Sequence, residues 1–239
     1  VRLGGVDAAD KNWGADLSGA VLSRTSFKEA DLRYVNFRQA WLEEVSFKGA
    51  CLDQISFGEW PYLKGKVFAY SKDGLLIAVA SRDEISIYET ESQKLKCKWK
   101  AKAKINCLAF HPEGRQLASG SQDAVIRLWE VVSGSCQREL KGHSQPIASL
   151  AYCSAGQQLA SGSHDKTIRL WRLSSGNCKK VLTGHSHQVT SLAYRSDGVQ
   201  LASGSKDKTI RVWLTADGSC QKVLIGHSDS ISTVAYCPA

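Results

Sequence analysis

The chain has 239 residues, 43% of them apolar and 23% charged, with a formal net charge of +8. No run of about 18 or more apolar residues occurs, which excludes a membrane-spanning helix, and no secretory leader is legible. The length suits one or two packed domains. A valine at position 1 and no methionine anywhere lead us to expect a piece of a longer protein.

Residues 25–49 read TSFKEADLRYVNFRQAWLEEVSFKG, with a large apolar residue at every fifth position: Phe27, Leu32, Phe37, Leu42 and Phe47. Five residues rotate a helical side chain by roughly 140°, so these groups would spread around a helix. In a continuous strand an odd spacing would alternate their faces. The spacing therefore predicts a chain that turns a corner every five residues. Two places before each stands a smaller residue, Thr25, Ala30, Val35, Ala40 and Val45, on the same face of a short extended piece. The series runs from Ala15/Leu17 to Ile55/Phe57, nine units without a gap. On "ADL" at 15–17 and 30–32 and "VNF" at 35–37, it resembles the pentapeptide-repeat family. That resemblance implies a short right-handed quadrilateral β-helix over residues 1–59, with the Leu/Phe series stacked along its axis.

A second repeat follows "EWPYL" at 59–63. "LASGS" begins at 117, 159 and 201, Trp stands at 129, 171 and 213, and "GHS" begins at 142, 184 and 226, each series spaced by 42. In "LASGSHDKTIRLW" a strand meets a tight turn at His164–Asp165–Lys166, and a second strand follows with Ile168 and Leu170 alternating against Thr167, Arg169 and Trp171. Ser, Gly and Asp supply the turn chemistry. Repeats of about 40–45 residues with GH and a terminal Trp mark WD-repeat propeller blades, and residues 62–239 resemble that family. The dipeptide after each Trp departs from Trp-Asp: it is Trp129-Glu, Trp171-Arg and Trp213-Leu. A weaker copy at 67–88 aligns Asp83 with Asp123 and puts Tyr88 in the place of Trp129. The expected architecture is all-β: the prism over 1–59, then a partial propeller over 60–239. Its blades fall at about 62–100, 101–142, 143–184 and 185–226, with the start of a fifth at 227–239. Such an arc leaves unpaired edges and blade faces, so self-association is expected.

In the third blade His143, Ser149 and Asp165 carry the residue types of a hydrolytic triad. The same set returns one repeat later as His185, Ser191 and Asp207, and two copies of one nucleophile system on like turns do not make an active site. In WD-repeat proteins these positions, with Trp171 and Trp213, resemble a buried hydrogen-bond network that ties the turn to the strands. Blade two keeps Asp123 and Trp129 but has Ala101 at the His position and Cys107 at the Ser position, so its network is expected to be incomplete. No catalytic residue, cofactor or metal is assigned. Three of the eight cysteines, Cys136, Cys178 and Cys220, recur once per repeat and read as reduced packing residues, which fits a cytoplasmic protein. No CxxC occurs, and the His185/His187 pair has no third ligand nearby in the sequence.

Residues 1–59 hold 7 Lys/Arg and 9 Asp/Glu, a net of −2, whereas the remainder holds 24 and 14, a net of +10. Lys94, Lys96, Lys98, Lys100, Lys102 and Lys104 alternate along "KLKCKWKAKAK". This reads first as an outer strand with one solvated face, on which lysine also discourages edge pairing. A basic stripe for an anionic partner is the second reading, although no aromatic residues share the lysine face to stack bases. In WD-repeat proteins partners often dock where the turns between the second and third strands open, and the residue before the turn Asp contributes. That mapping gives Arg82, Gln122, His164 and Lys206.

Pentapeptide units running into near-consensus WD repeats resemble C-terminal regions of large bacterial proteins, cyanobacterial ones particularly, some with an NTP-hydrolysing switch upstream. The reading is a non-catalytic protein-interaction scaffold, the sensor or docking region of such a protein, with an acidic protein partner and no membrane. The alternative is a nucleic-acid-associated or topoisomerase-directed role, through the basic propeller or the prism.

Overall fold

The computed structural model describes residues 67–92 and 94–236, and ahead of them residues 4–6, 12–14, 17, 26, 27, 30, 32 and 35. The chain divides into two compact units, residues 1–63 and 64–239. All regular structure among the described residues is β.

In the first unit β1 (Gly4–Val6) pairs antiparallel with β2 (Asn12–Gly14), ahead of the five-residue series. Within the series the Phe27 carbonyl accepts the Ala30 N–H and the Leu32 carbonyl accepts the Val35 N–H, both at 3.1 Å. The same turn thus closes twice, five residues apart, as a corner every five residues requires. Ala30, Leu32 and Val35 are buried. Phe37, Leu42, Phe47 and the rest of the expected stack lie outside the described residues.

The second unit contains four four-stranded antiparallel sheets, each a simple meander. Blade one is β3 (Val67–Tyr70), β4 (Leu76–Ser81), β5 (Glu84–Glu89) and β6 (Leu95–Lys100). Blade two is β7 (Ile105–Phe110), β8 (Gln116–Ser121), β9 (Ile126–Glu130) and β10 (Cys136–Leu140). Blade three is β11 (Ile147–Tyr152), β12 (Gln158–Ser163), β13 (Ile168–Arg172) and β14 (Cys178–Leu182). Blade four is β15 (Val189–Tyr194), β16 (Gln200–Ser205), β17 (Ile210–Leu214) and β18 (Cys220–Leu224). Gly74, Gly114, Gly156 and Gly198 sit at φ of 69–73° in the first hairpin of each blade, a conformation that glycine adopts without a Cβ clash.

The core lies between blades. Ala118, Ile126, Leu128 and Leu140 of blade two pack against Ile147, Leu150, Leu159 and Trp171 of blade three. Ala160, Ile168, Leu170 and Leu182 repeat the arrangement against Val189, Leu192, Leu201 and Trp213. Both faces of the inner strands are therefore buried, and "LASGS" is small for that reason. A methyl group built on Gly162 would lie 2.6 Å from Val189 Cγ1, and one on Gly120 would lie 2.5 Å from Ile147 Cγ2. Polar ties join neighbouring blades as well. The Tyr152 hydroxyl donates to Gln116 Oε1 at 3.1 Å, and the Tyr194 hydroxyl to Gln158 Oε1 at 2.9 Å.

The outer blades differ from the inner ones. Leu224 is 39% exposed, whereas Leu140 and Leu182 at the same repeat position are 1% and 3% exposed. In blade one Phe68 and Tyr70 are exposed, where Leu108 and Phe110 at the matching positions are buried.

Candidate functional site

In blades two, three and four the turn between the second and third strands is held by its aspartate. In blade three Asp165 Oδ1 accepts the Thr167 amide at 2.9 Å and the Thr167 hydroxyl at 2.7 Å. Asp165 Oδ2 accepts the His143 Nδ1–H at 2.7 Å and the Ser144 amide at 3.1 Å. His143 Nε2 then accepts the Ser161 hydroxyl at 2.8 Å, and Ser161 Oγ accepts the Trp171 indole N–H, also at 2.8 Å. Every donor finds an acceptor when the imidazole is neutral with its proton on Nδ1. Blade four repeats the set with Asp207, Thr209, His185, Ser203 and Trp213, at 2.7 Å from His185 to both Asp207 and Ser203.

The electrostatics agree with an ionised carboxylate in both blades and with a neutral imidazole at His185. Burial opposes ionisation of Asp165, but hydrogen bonds from His143 and Thr167 outweigh it and hold the carboxyl below its ordinary range. Asp207 is held down in the same way, with Thr209 and His185 overcoming burial. Burial pushes His185 below the usual imidazole value, more strongly than Asp207 raises it.

The serine of this network is not the one expected. Ser161 and Ser203, the third residues of "LASGS", fill the role assigned to Ser149 and Ser191. Ser149 Oγ instead accepts the Leu192 amide of the next blade at 3.0 Å, and Ser191 Oγ accepts the Val234 amide at 3.1 Å. Ser149 and His143 thus serve different bonds, and the serines that do bond the imidazoles, Ser161 and Ser203, are fully buried and also hold the Trp171 and Trp213 indoles, which closes them to a substrate. The signal for Ser161 was present in the "LASGS" repeat, whose buried serines need partners. It was overlooked because Ser149 completed a familiar triplet.

Blade two answers its missing histidine with a different device. Trp129 still donates to Ser119 Oγ at 2.8 Å. Asp123 turns to the buried Arg127 guanidinium, with Oδ2 2.7 Å from Nη2, and Arg127 Nε donates to Glu139 Oε1 at 3.1 Å. Lys141 and Lys102 also bind Glu139, and with Arg127 they bring its carboxyl down to about 2. The matching arginines Arg169 and Arg211 face Val181 and Val223 across the sheet.

The four candidate contact residues stand at the hairpins between the second and third strands of their blades. Gln122, His164 and Lys206 follow the last residues of β8, β12 and β16, and their amides donate to Lys104, Pro146 and Gln188 carbonyls at 2.8, 3.0 and 2.9 Å. Gln122 and Lys206 are exposed and His164 is half-buried. Burial and the charge of Lys206 lower the His164 pKa, so the structure brings those two residues within electrostatic reach. In these three turns the residue after Asp takes left-handed backbone: Ala124 at φ 63°, Lys166 at 71° and Lys208 at 69°. Arg82 departs from the pattern. Ser81 pairs directly with Glu84, which leaves a turn of Arg82 and Asp83 with Arg82 itself at φ 56°. One residue is missing from this hairpin, so Arg82 occupies an apex rather than the approach to one.

The lysine series is partly spent on its own sheet and the next. Lys98 lies 2.8 Å from Glu84, Lys96 lies 3.7 Å from Glu89, and Lys102 lies 3.1 Å from Glu139. The six described cysteines, Cys97, Cys107, Cys136, Cys153, Cys178 and Cys220, are free thiols. Cys136, Cys178 and Cys220 each open an outer strand. Among the described residues no cluster of three His, Cys, Asp or Glu side chains is placed to hold a metal. His185 is engaged in its network, while His187 Nδ1 accepts the Gln188 amide at 2.9 Å. Among the described residues no helix is long and apolar enough to cross a membrane.

Comparison with known proteins agrees with this architecture. The WD domain, G-beta repeat family model matches residues 93–130, 134–172 and 176–213, and the pentapeptide-repeat model matches eight copies over 14–57. The chain thus carries pentapeptide repeats followed by three WD40 repeats. Each match begins near an outer strand and ends with the third strand of the next blade, and the inner strands of blade one fall outside the matches. Among curated proteins the chain is similar to the nuclear distribution protein nudF of Aspergillus niger, 46% identical over 46 residues. It is also similar to nuclear distribution protein PAC1 of Fusarium vanettenii, 44% identical over 46 residues. Each match covers 19% of this chain and 10% of the relative, so the chain spans about a tenth of the length of these proteins.

Proposed function

We propose that this chain, in which pentapeptide repeats precede WD40 repeats, is a non-catalytic scaffold for protein–protein interaction. The observation that carries the reading is the contrast within each turn. The groups capable of chemistry, His143 with Asp165 and His185 with Asp207, are consumed by one internal network, repeated with the same distances. The residues beside them, Gln122, His164 and Lys206, differ from blade to blade on a rigid support. A repeated framework with a varied rim is suited to recognition, and the short WD40 similarity to nuclear distribution proteins adds to that reading.

The partner is a protein with an acidic patch. Residues 60–239 carry a net charge of +10, which speeds encounter with an anionic surface and weakens with salt. Half of the alternating lysine series already faces carboxylates, which favours a protein contact over a nucleic-acid track. The chain serves as the docking or sensor region of a larger bacterial, cytoplasmic protein, a reading supported by its joined repeat types. Pull-down from the source organism with the wild-type chain, with Arg82→Glu, His164→Glu and Lys206→Glu, and with residues 60–239 alone tests the scaffold. Capture should fall in the charge reversals and survive loss of residues 1–59. Capture by the first 59 residues alone, or none by the wild type, refutes it.

A further inference from the structure

The junction between blades three and four differs from the one before it, at the end of the blades opposite the aspartate turns. Between blades two and three the space is filled by His111. Its Nε2 lies 2.9 Å from the Gly156 carbonyl oxygen, and its ring meets Tyr152 edge-on at 5.2 Å. One repeat later the position of His111 is Cys153, a buried thiol. A methyl group on Gly156 would strike His111 at 2.4 Å, but one on Gly198 meets nothing nearer than Cys153 Cβ at 3.8 Å. The cleft at the first junction measures about 330 Å³; at the second, with Cys153, Gln158, Gly198 and Thr215 among its lining, it measures about 760 Å³.

The charge of the lining changes along with its size. Glu113, Arg115, Glu130 and Gln137 line the smaller cleft, and the positions one repeat later are Ala155, Gln157, Arg172 and Lys179. Two carboxylates and one cation, Arg115, are lost, and two cations are gained. The carboxylate nearby, Asp197, is already held by the Arg195 guanidinium. Among the described residues Arg172 and Lys179 have no ion-pair partner, and both are exposed on the rim above the buried Cys153 and Thr215. An arginine fork and an ammonium over a recess of this size match a carboxylate on a side chain entering from solvent.

We propose that the cleft between blades three and four receives an acidic side chain from an extended segment of a partner protein, with Arg172 and Lys179 as its cationic jaws. The proposal rests on the scaffold reading above and gives that reading a second contact surface, remote from the aspartate turns. The probe is a fluorescein-labelled octapeptide with two central glutamates, titrated into the full chain by anisotropy beside its glutamine counterpart and free glutamate. The glutamate peptide should bind about tenfold or more tightly than the glutamine one. Arg172→Glu and Lys179→Glu should each weaken binding by about tenfold or more. Cys153→His restores the side chain that the neighbouring junction accommodates, so it should close the cleft and abolish binding with the near-ultraviolet dichroism intact. Cys153→Ser keeps the space and should keep binding. If Cys153→His fails to fold, the two rim reversals decide alone. No binding by the wild type, or binding indifferent to these changes, overturns the site. Free glutamate binding as tightly as the peptide would make the occupant a small carboxylate and overturn the assignment to a partner segment. In the pull-down, a partner lost on reversal of Arg82, His164 and Lys206 but retained by Cys153→His and by both rim reversals refutes the cleft alone. Failure of the wild type to capture any partner refutes the scaffold.

Discussion

His143 Nδ1 and Asp165 Oδ2 meet at 2.7 Å, with 0% and 8% of the two side chains exposed. Removing one partner strands the other in a site that water does not reach. Asp165→Ala also removes the acceptor of the Thr167 and Ser144 bonds. We expect a loss of roughly 2–4 kcal/mol by chemical denaturation. A loss below about 0.5 kcal/mol would mean that the network contributes nothing net.

The two serines of blade three should separate cleanly. Ser161→Ala leaves the Trp171 indole N–H without its acceptor and should cost about 1–3 kcal/mol. Ser149→Ala removes one acceptor at the boundary of two blades and should cost about 1 kcal/mol or less. Equal losses would count against the assignment of roles. Neither change should affect any hydrolase activity, because none is expected. Activity abolished by Ser149→Ala or Ser191→Ala, with folding intact, would overturn the scaffold reading.

Stability should fall in two steps on acidification. The His185 pKa is lowered in the folded chain, so the unfolded chain binds more protons once pH drops below its ordinary value of about 6.5. The first loss therefore begins there and grows toward the folded pKa. Asp165 and Asp207 are also lowered, so their contribution is complete above about pH 3.9 and drains away as pH falls through the folded values. Denaturant midpoints measured from pH 8 to pH 2 report the upper step and the onset of the lower one, and His185→Gln should flatten the upper step and weaken the part of the lower one that Asp207 supplies.

Close approach between blades predicts the effect of a single methyl group. Gly162→Ala would press on Val189 and should cost about 1–3 kcal/mol. Ala124→Gly relieves left-handed backbone at φ 63° and should stabilise by about 0.5–1 kcal/mol. Thermal unfolding of the two variants, run side by side, should shift in opposite directions.

The exposed faces of the outer blades predict association. Phe68 at 65% and Leu224 at 39% exposure lie in the first and fourth blades and present apolar surface of the kind that the inner junctions bury. Analytical ultracentrifugation should show concentration-dependent self-association. A stable monomer at high concentration would contradict it.

The strands, the turns and the spacing of blades were legible in the sequence because a period of 42 residues repeats each local signal three times. The corner every five residues was legible for the same reason, from Phe27 and Leu32. Partnering was less legible. Ser149 and Ser161 are both strand serines that return one repeat later, and only the direction of each side chain decides which one reaches His143. The Arg127–Glu139 pair was missed because the two residues meet across strands, 12 positions apart. The cleft was missed because its signal is a departure, Cys153 against His111, that matters only once two hairpins are set side by side. Arg82 aligned by letter with Gln122, but a one-residue deletion in the hairpin moved it to a different backbone position.

The bond from the Leu192 amide to Ser149 Oγ has a thermodynamic meaning beyond its own strength. One repeat on, the Val234 amide donates to Ser191 Oγ at 3.1 Å, and at the junction before, where the serine position is Cys107, a different strap runs from Asn106 Nδ2 to the Ile147 carbonyl at 3.0 Å. Each strap couples one sheet only to its immediate neighbour. An array connected in this way behaves as a one-dimensional lattice, in which opening spreads inward from the ends and each step depends on the state of the adjoining unit. Amide hydrogen exchange should accordingly be graded along the molecule. It should be slowest in β7, β8, β11 and β12, in the two blades that have a four-stranded neighbour on both sides, and fastest in β18, whose residues are all exposed.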